Sequence, residues 1–271
     1  MKTFILLLGA QKCGTSWLHE YLKQSPRFGQ GFSKEYHIWD ALDIGILRGN
    51  RVDPETLDTL ASDQKERQSQ RFRMQNEEGY YFDYFTSLFT EDVTITADIT
   101  PSYSGLKAKR LQSIKQKFAE RGVVVKPVLL IRDPLRRIRS SVRFNLDRRH
   151  YKAGIVDGET DFTRALGQHY CHEHCIIRTR YDETHKNAVE VFGKEQVYVG
   201  IYESMFTPAE IGRLSCYLGV EPKPEFASIK VNKTWNAVED TEFDEAIRAF
   251  YSEVYDYCFE QFPTTRLLWS A

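Results

Sequence analysis

The 271-residue chain lacks any apolar run long enough to cross a bilayer, which would take about 20 consecutive apolar residues. It also lacks net charge. Its 37 Lys and Arg nearly cancel its 38 Asp and Glu, so no global basic field draws it to nucleic acid or to an anionic membrane. There is no even set of cysteines. Five is an odd number, which argues against a disulfide framework and for reduced thiols in a cytoplasmic protein. Cys171-His172-Glu173-His174-Cys175 places Cys171, His174 and Cys175 on one face if helical. Zinc sites usually gather ligands from two separated segments, and no second pair is evident. An ordinary helix is the reading, and no metal is expected. Internal repeats and low-complexity segments are absent too. What is present is 41% hydrophobic residues, enough for a substantial core.

The stretch that organises the chain is residues 3–24, TFILLLGAQKCGTSWLHEYLKQ. Phe4 to Leu8 read as a fully buried strand. Gly9 to Ser16 form a tight turn. Thr15 to Gln24 read as a helix with Trp17, Leu18, Tyr21 and Leu22 on one face. Met1-Lys2 and the apolar run after it resemble a signal peptide only superficially, because the run is very short and no good small-residue cleavage site follows. Strand, glycine turn and helix together make an anion site, since the helix N-terminus offers unpaired N–H groups and the positive end of its dipole. The turn departs from a Walker A loop, GxxxxGK[ST]. Gly9, Gly14 and Ser16 are correctly spaced, but Thr15 replaces the lysine and the loop's one lysine is Lys12. ATP and Mg²⁺ chemistry becomes less favoured, while a phosphate-bearing ligand stays favoured.

Further strand signals lie at Val93–Ala97, Val128–Ile131 and Val197–Ile201. They alternate with helical patterns at 107–121, after Pro134, across 161–192 as two helices, and from Pro208 to Gly219. Asp53-Pro54-Glu55 opens a helix expected to run towards Gln70, whose segment 64–73 is polar and solvated. Tyr80 to Phe85 are aromatic, suited to core packing or to an acceptor pocket. Glu242 to Phe262 read as one terminal helix. Alternation of this kind argues for a parallel sheet covered by helices on both faces.

QKCGTSWL resembles the 5′-phosphosulfate loop of sulfotransferases that use 3′-phosphoadenosine 5′-phosphosulfate (PAPS). Lys34-Glu35-Tyr36-His37 resembles the KExH segment of the carbohydrate branch, including heparan-type O- and N-sulfotransferases. Asp98-Ile99-Thr100-Pro101-Ser102-Tyr103 resembles that family's E-K-[ST]-P-x-Y, with Ile99 departing from a lysine. Arg132-Asp133-Pro134 followed eight residues later by Ser140 resembles its 3′-phosphate site, and Tyr202-Glu203-Ser204 its YED segment. The resemblance covers most of residues 3–235 and is closest to that carbohydrate branch, in a bacterial-type member. It implies one domain over 1–271 with a P-loop NTPase-like α/β fold.

It also implies roles. Lys12 would neutralise charge on the leaving phosphate, and Glu35 would take the acceptor's proton, with His37 as a rival base. The N–H groups of Cys13, Gly14, Thr15 and Ser16, with the Thr15 and Ser16 hydroxyls, would hold the 5′-phosphate. Arg132 and Ser140 would hold the 3′-phosphate; a guanidinium suits it by bidentate, charge-assisted contact. Tyr202 would lie by the nucleotide, and Lys233, in a loosely matching segment, would close over the 3′-phosphate. Crowding of Arg136, Arg137, Arg139, Arg143, Arg148 and Arg149 is expected to draw in an anionic donor or acceptor. The implied reaction moves a sulfuryl group from PAPS to a hydroxyl or amine of a small-molecule or glycan acceptor, without metal. A P-loop nucleotide kinase using ATP and Mg²⁺ is the alternative, and a nucleotide-binding module without catalysis is a third reading.

Overall fold

The architecture is taken from a computed structural model, which describes residues 1–149, 153–229 and 241–269. In chain order its strands and helices are β1 Lys2–Leu7, α1 Thr15–Leu22, α2 Trp39–Asp43, α3 Ser62–Asn76, α4 Tyr80–Ser87, β2 Ile95–Asp98, α5 Ala108–Ala119, β3 Val123–Ile131, α6 Pro134–Asp147, α7 Phe162–His169, α8 Glu173–Ile176, α9 Tyr181–Phe192, β4 Tyr198–Ile201, α10 Pro208–Leu218, α11 Asp244–Phe250, α12 Ser252–Gln261 and α13 Thr264–Trp269.

The four strands form one parallel sheet in the order β2-β1-β3-β4. Alternation along β1 divides the core. Ile5 and Leu7 pack with Trp17, Leu18, Ile138 and Leu214 on one face. Phe4, Leu6 and Leu8 pack with Tyr81, Phe85, Ile114 and Phe118 on the other. A strand buried on both faces must be apolar throughout, and β1 is buried from Thr3 onward. The expected parallel sheet with helices on both faces is therefore the observed one.

Strand order places the site. From β1 the chain next pairs on one side, with β2, and from β3 it continues on the other, to β4. The carboxyl ends of β1 and β3 flank the crevice where the order reverses, the general ligand position in open α/β sheets. The loop after β1 continues the pairing: Ala10 N–H donates to Leu130 O at 2.7 Å, and Leu130 N–H to Gly9 O at 2.9 Å.

Several helices differ from expectation. The segment from Asp53 is a 3₁₀ turn over Pro54–Thr59, and α3 begins afresh at Ser62 because Leu60 and Ala61 are extended. Three helices, not two, fill 161–192. The terminal helix breaks at Tyr251, whose backbone leaves the helical region (φ −105°, ψ 20°). Tyr81, Phe82 and Phe85 are buried on α4, so this aromatic run is core rather than pocket wall. Among the described residues no helix is long and apolar enough to cross a membrane.

Candidate functional site

The loop between β1 and α1 is shaped by three left-handed residues, Gly9 (φ 104°), Lys12 (φ 69°) and Gly14 (φ 91°). Two of them are glycines for steric as well as conformational reasons. A Cβ on Gly9 would lie 2.8 Å from Ser104 Cβ, and one on Gly14 would lie 2.9 Å from Met205 Sδ. Gly14 caps α1 without a side chain, so the first-turn N–H groups after it have no intrahelical partner. Thr15 is buried and Ser16 half-buried beside them. Of the N–H groups expected to hold the 5′-phosphate, that of Cys13 turns back to Ala10 O at 3.2 Å, so among the described residues the unpaired ones begin at Gly14. Burial pushes the Cys13 thiol up to about 12, so it is not a nucleophile; its Sγ lies 3.8 Å from the Tyr181 hydroxyl.

Positive charge converges on this loop. Lys12 Nζ lies 4.3 Å from the Phe144 ring centre. Burial first, then the nearby Arg132 and Arg148, lower its pKa to about 8. Arg132 follows β3 directly. Its Nη1 donates to Lys12 O at 3.3 Å and its guanidinium carbon sits 4.3 Å from the Tyr202 ring centre. Its Nε is buried and has no hydrogen-bond partner among the described residues. Asp133 caps α6 through Leu135 N–H at 2.9 Å, with Pro134 in the first turn. Lys12, Gly14, Arg132 and Tyr202 are thus brought together. Ser140 is buried on α6, and no contact with Arg132 is seen among the described residues. Lys233 lies outside the described residues.

A second loop meets the first. Lys34 Nζ donates to Ser16 Oγ at 3.0 Å and to Glu35 Oε1 at 2.8 Å, joining the carboxylate to the anion loop. Glu35 Oε2 faces His37 Nε2 at 3.4 Å, and His37 Nδ1 faces Asp40 Oδ2 at 2.7 Å. Asp40 is fully buried and also accepts from Ser102 Oγ at 2.5 Å. Burial would raise the Glu35 carboxyl, but the bonds from His37 and Lys34 outweigh it and hold the pKa at about 2. Burial would likewise lower His37, yet Asp40 and Glu35 raise it to about 9. At neutral pH this makes an anionic Glu35 beside a cationic His37. Both imidazole nitrogens of a cation are donors, while an ionised carboxylate keeps lone pairs with which to accept.

The rest of this loop is held from below. Thr100 Oγ1 accepts from Tyr36 N–H at 2.9 Å and donates to Asp98 Oδ1 at 2.5 Å. Asp98 also accepts from the Tyr81 and Tyr103 hydroxyls at 2.9 and 2.8 Å. Burial raises its pKa to about 6 despite these bonds, and its position in the core makes it a strut, not a ligand contact. Ile99 is fully buried. Lys34 and Asp40 were not singled out from sequence, though Lys34 lies inside the KExH segment. Arg71 and Gln75, which reach this loop from α3, carried no sequence signal at all; Arg71 lies in the segment 64–73 that read as solvated, and Gln75 lies just past it.

The Cys/His run does not gather into a ligand set. Cys171 is exposed, His172 and His174 stack at 5.4 Å, and buried Cys175 faces Arg137 Nη2 at 2.8 Å. Among the described residues no group of three or more His, Cys, Asp or Glu could hold a metal. A cavity of about 660 Å³ opens between Ile44, Ser104, Arg110 and Ile177. Ser104 also packs on Gly9, but neither Lys12, Glu35 nor His37 lines this space.

Comparison with known proteins bears on the fold. No protein-family model matches the chain, and no curated protein does. Among solved structures, a sulfotransferase from Alicyclobacillus acidocaldarius aligns over 96% of this chain and 95% of its own, at 21% identity and a TM-score of 0.58. A sulfotransferase domain from the Synechococcus PCC 7002 olefin synthase aligns over 92% and 94% at 16% identity and a TM-score of 0.46. A Mycobacterium avium sulfotransferase aligns over 94% and 76%, also at 16% and 0.46. The first of these shares the fold of this chain.

Proposed function

We propose that the chain is a PAPS-dependent sulfotransferase, acting on a hydroxyl or amine of a small-molecule or glycan acceptor. One observation carries the reading: the continuous chain Glu35–Lys34–Ser16 couples an ionised carboxylate directly to the anion loop. A base for the acceptor and a cradle for the donor are thereby adjacent. The likeness of fold to a sulfotransferase supports the same reading.

The residues present fit the donor. PAPS supplies the sulfuryl group and two phosphates. First-turn N–H groups after Gly14 suit the 5′-phosphate. The orphaned Nε of Arg132, with Ser140 and Lys233 in support, suits the 3′-phosphate, the group that ATP lacks. Glu35 takes the acceptor's proton as the acceptor oxygen bonds to sulfur and the bond from sulfur to the 5′-phosphate oxygen breaks. Lys12 and Lys34 offset the negative charge left on that phosphate, so most of the catalysis is positioning and electrostatics. A carbohydrate or other polyhydroxylated acceptor follows from the KExH resemblance. The free thiols suit a reducing, cytoplasmic setting.

Calorimetric titration with adenosine 3′,5′-bisphosphate and with ATP, each with and without Mg²⁺, tests the donor. The bisphosphate is expected to bind without metal, and Arg132→Ala to weaken it by about 10- to 100-fold, the loss of a charged hydrogen-bond pair. Preference for ATP with Mg²⁺ would put the kinase reading first.

A further inference from the structure

Helix α3 looks from sequence like a solvated surface helix, and most of its first half, such as Lys65, Glu66 and Arg67, is exposed. Its last turns are different. Gln75 is only 8% exposed, and every bond it makes is to main chain. Its Oε1 accepts from Val52 N–H at 2.9 Å, while its Nε2 donates to His37 O at 2.9 Å and to Asn50 O at 3.1 Å. Four residues earlier, on the same helix face, Arg71 Nη2 donates to Glu35 O at 2.9 Å. Asn50 in turn donates from Nδ2 to Asp40 Oδ2 at 3.1 Å. One helix face therefore grips the carbonyls of Glu35 and His37 and, through Asn50, the carboxylate behind His37.

The grip is placed where the backbone needs it. His37 has φ 55°, a left-handed conformation that non-glycine residues seldom adopt and that persists only when surroundings hold it. Thr100 and Tyr103 hold N–H groups on this loop, while Gln75 and Arg71 hold the carbonyls of His37 and Glu35, so cutting the tether frees the carbonyl side of the strained turn.

Resting on the sulfotransferase reading, we propose that Gln75 and Arg71 are positioning residues for the reaction: α3 sets the geometry of the Glu35–His37–Asp40 line by holding its main chain. Neither side chain need touch either substrate. Among the described residues the charged groups facing His37 are Glu35 on its own loop and Asp40 on α2, and Lys34, Arg71 on α3 and Arg178 after α8 act on those carboxylates. Gln75 is neutral, so replacing it changes geometry without changing this charge balance.

The test is Gln75→Met, close in size and unable to hydrogen-bond. Two readouts are taken: release of adenosine 3′,5′-bisphosphate from PAPS with a panel of oligosaccharides, and the NMR titration of His37, assigned with His37→Gln. The expected result is a kcat lower by about 10- to 100-fold, as for misplacement near 1 Å, with bisphosphate affinity within about twofold of wild type. The His37 midpoint should fall from about 9 towards the ordinary 6.5. If Gln75→Met does not fold, Arg71→Lys keeps the charge but loses the planar donor fork, and the same fall in kcat at unchanged bisphosphate affinity is expected. Wild-type kcat with an unmoved His37 midpoint would overturn the proposal. Absence of sulfuryl transfer in the wild type would count against the function instead; the His37 midpoint would still decide the tether, a fall supporting it and no change sinking it.

Discussion

Residues 9–16 and residues 33–40 meet where Lys34 touches Ser16, yet different kinds of bond hold them. The first loop is a main-chain object. It extends the pairing of β1 with β3 and turns through left-handed positions at Gly9, Lys12 and Gly14. The second is held by side chains from elsewhere: Thr100 on Tyr36 N–H, Tyr103 on Ile38 N–H, Arg71 and Gln75 on two carbonyls. A loop defined by backbone pairing tolerates many side chains but few changes of glycine. A loop defined by side-chain tethers has the opposite tolerance. On the proposed function, the first loop would serve a constant donor, and the second could be retuned to the acceptor through its tethers.

The two loops should fail differently when cut. The largest effect is expected for Glu35→Gln, which removes the proposed proton acceptor while keeping the Lys34 contact: kcat should fall by about 10²- to 10⁴-fold, while calorimetry finds bisphosphate affinity unchanged. Equal loss of affinity would mean the loops are not separable. Next, Gly14→Ala forces a Cβ to within 2.9 Å of Met205 Sδ at a left-handed position. Bisphosphate affinity should drop by at least about tenfold, and the His37 titration, read by NMR, should stay in place because the second loop has its own supports. A moved His37 midpoint would show that the donor loop props the acceptor loop.

The smallest effect is a proton count. Lys12 sits at about 8 in the free protein because burial and neighbouring arginines disfavour its charge. A bound phosphate anion favours that charge and raises the pKa. Near and above pH 8, binding should therefore take up a fraction of a proton, and affinity should weaken as pH rises further. Calorimetry in buffers of different ionisation enthalpy reads this directly, and Lys12→Ala should abolish it. Proton uptake that persists in Lys12→Ala would shift the assignment to another group at the loop.

The contrast also explains what could be read in advance. β1, β2 and the second half of β3 announce themselves as apolar runs because both faces of a parallel strand are buried there, and β4, half-buried on one face, is still apolar enough to read. The glycine turn is legible because its φ values and close contacts permit little else at Gly9 and Gly14. Arg132 was singled out because Arg132-Asp133-Pro134 after an apolar run, with Ser140 eight residues on, resembles the sulfotransferases' 3′-phosphate site. Lys34 was visible but without a role, since a Lys-Glu pair on a surface is ordinary. Arg71 and Gln75 gave no signal, because a polar residue on a polar helix looks the same whether it faces water or a buried carbonyl. The breaks at Leu60-Ala61 and Tyr251 were missed for a related reason: neither is marked by glycine or proline.

By itself, then, the chain's pattern determined the parallel sheet, the helices over both its faces and the glycine turn that opens α1. These depend on periodicity and backbone conformation, which are local. Tertiary structure alone decided that Lys34 bridges Glu35 to Ser16, that Asp40 backs His37, and that Gln75 holds the loop between them. The Lys34–Ser16 and Gln75–His37 contacts join residues 18 and 38 positions apart, and their strength comes from burial that only the packed fold creates.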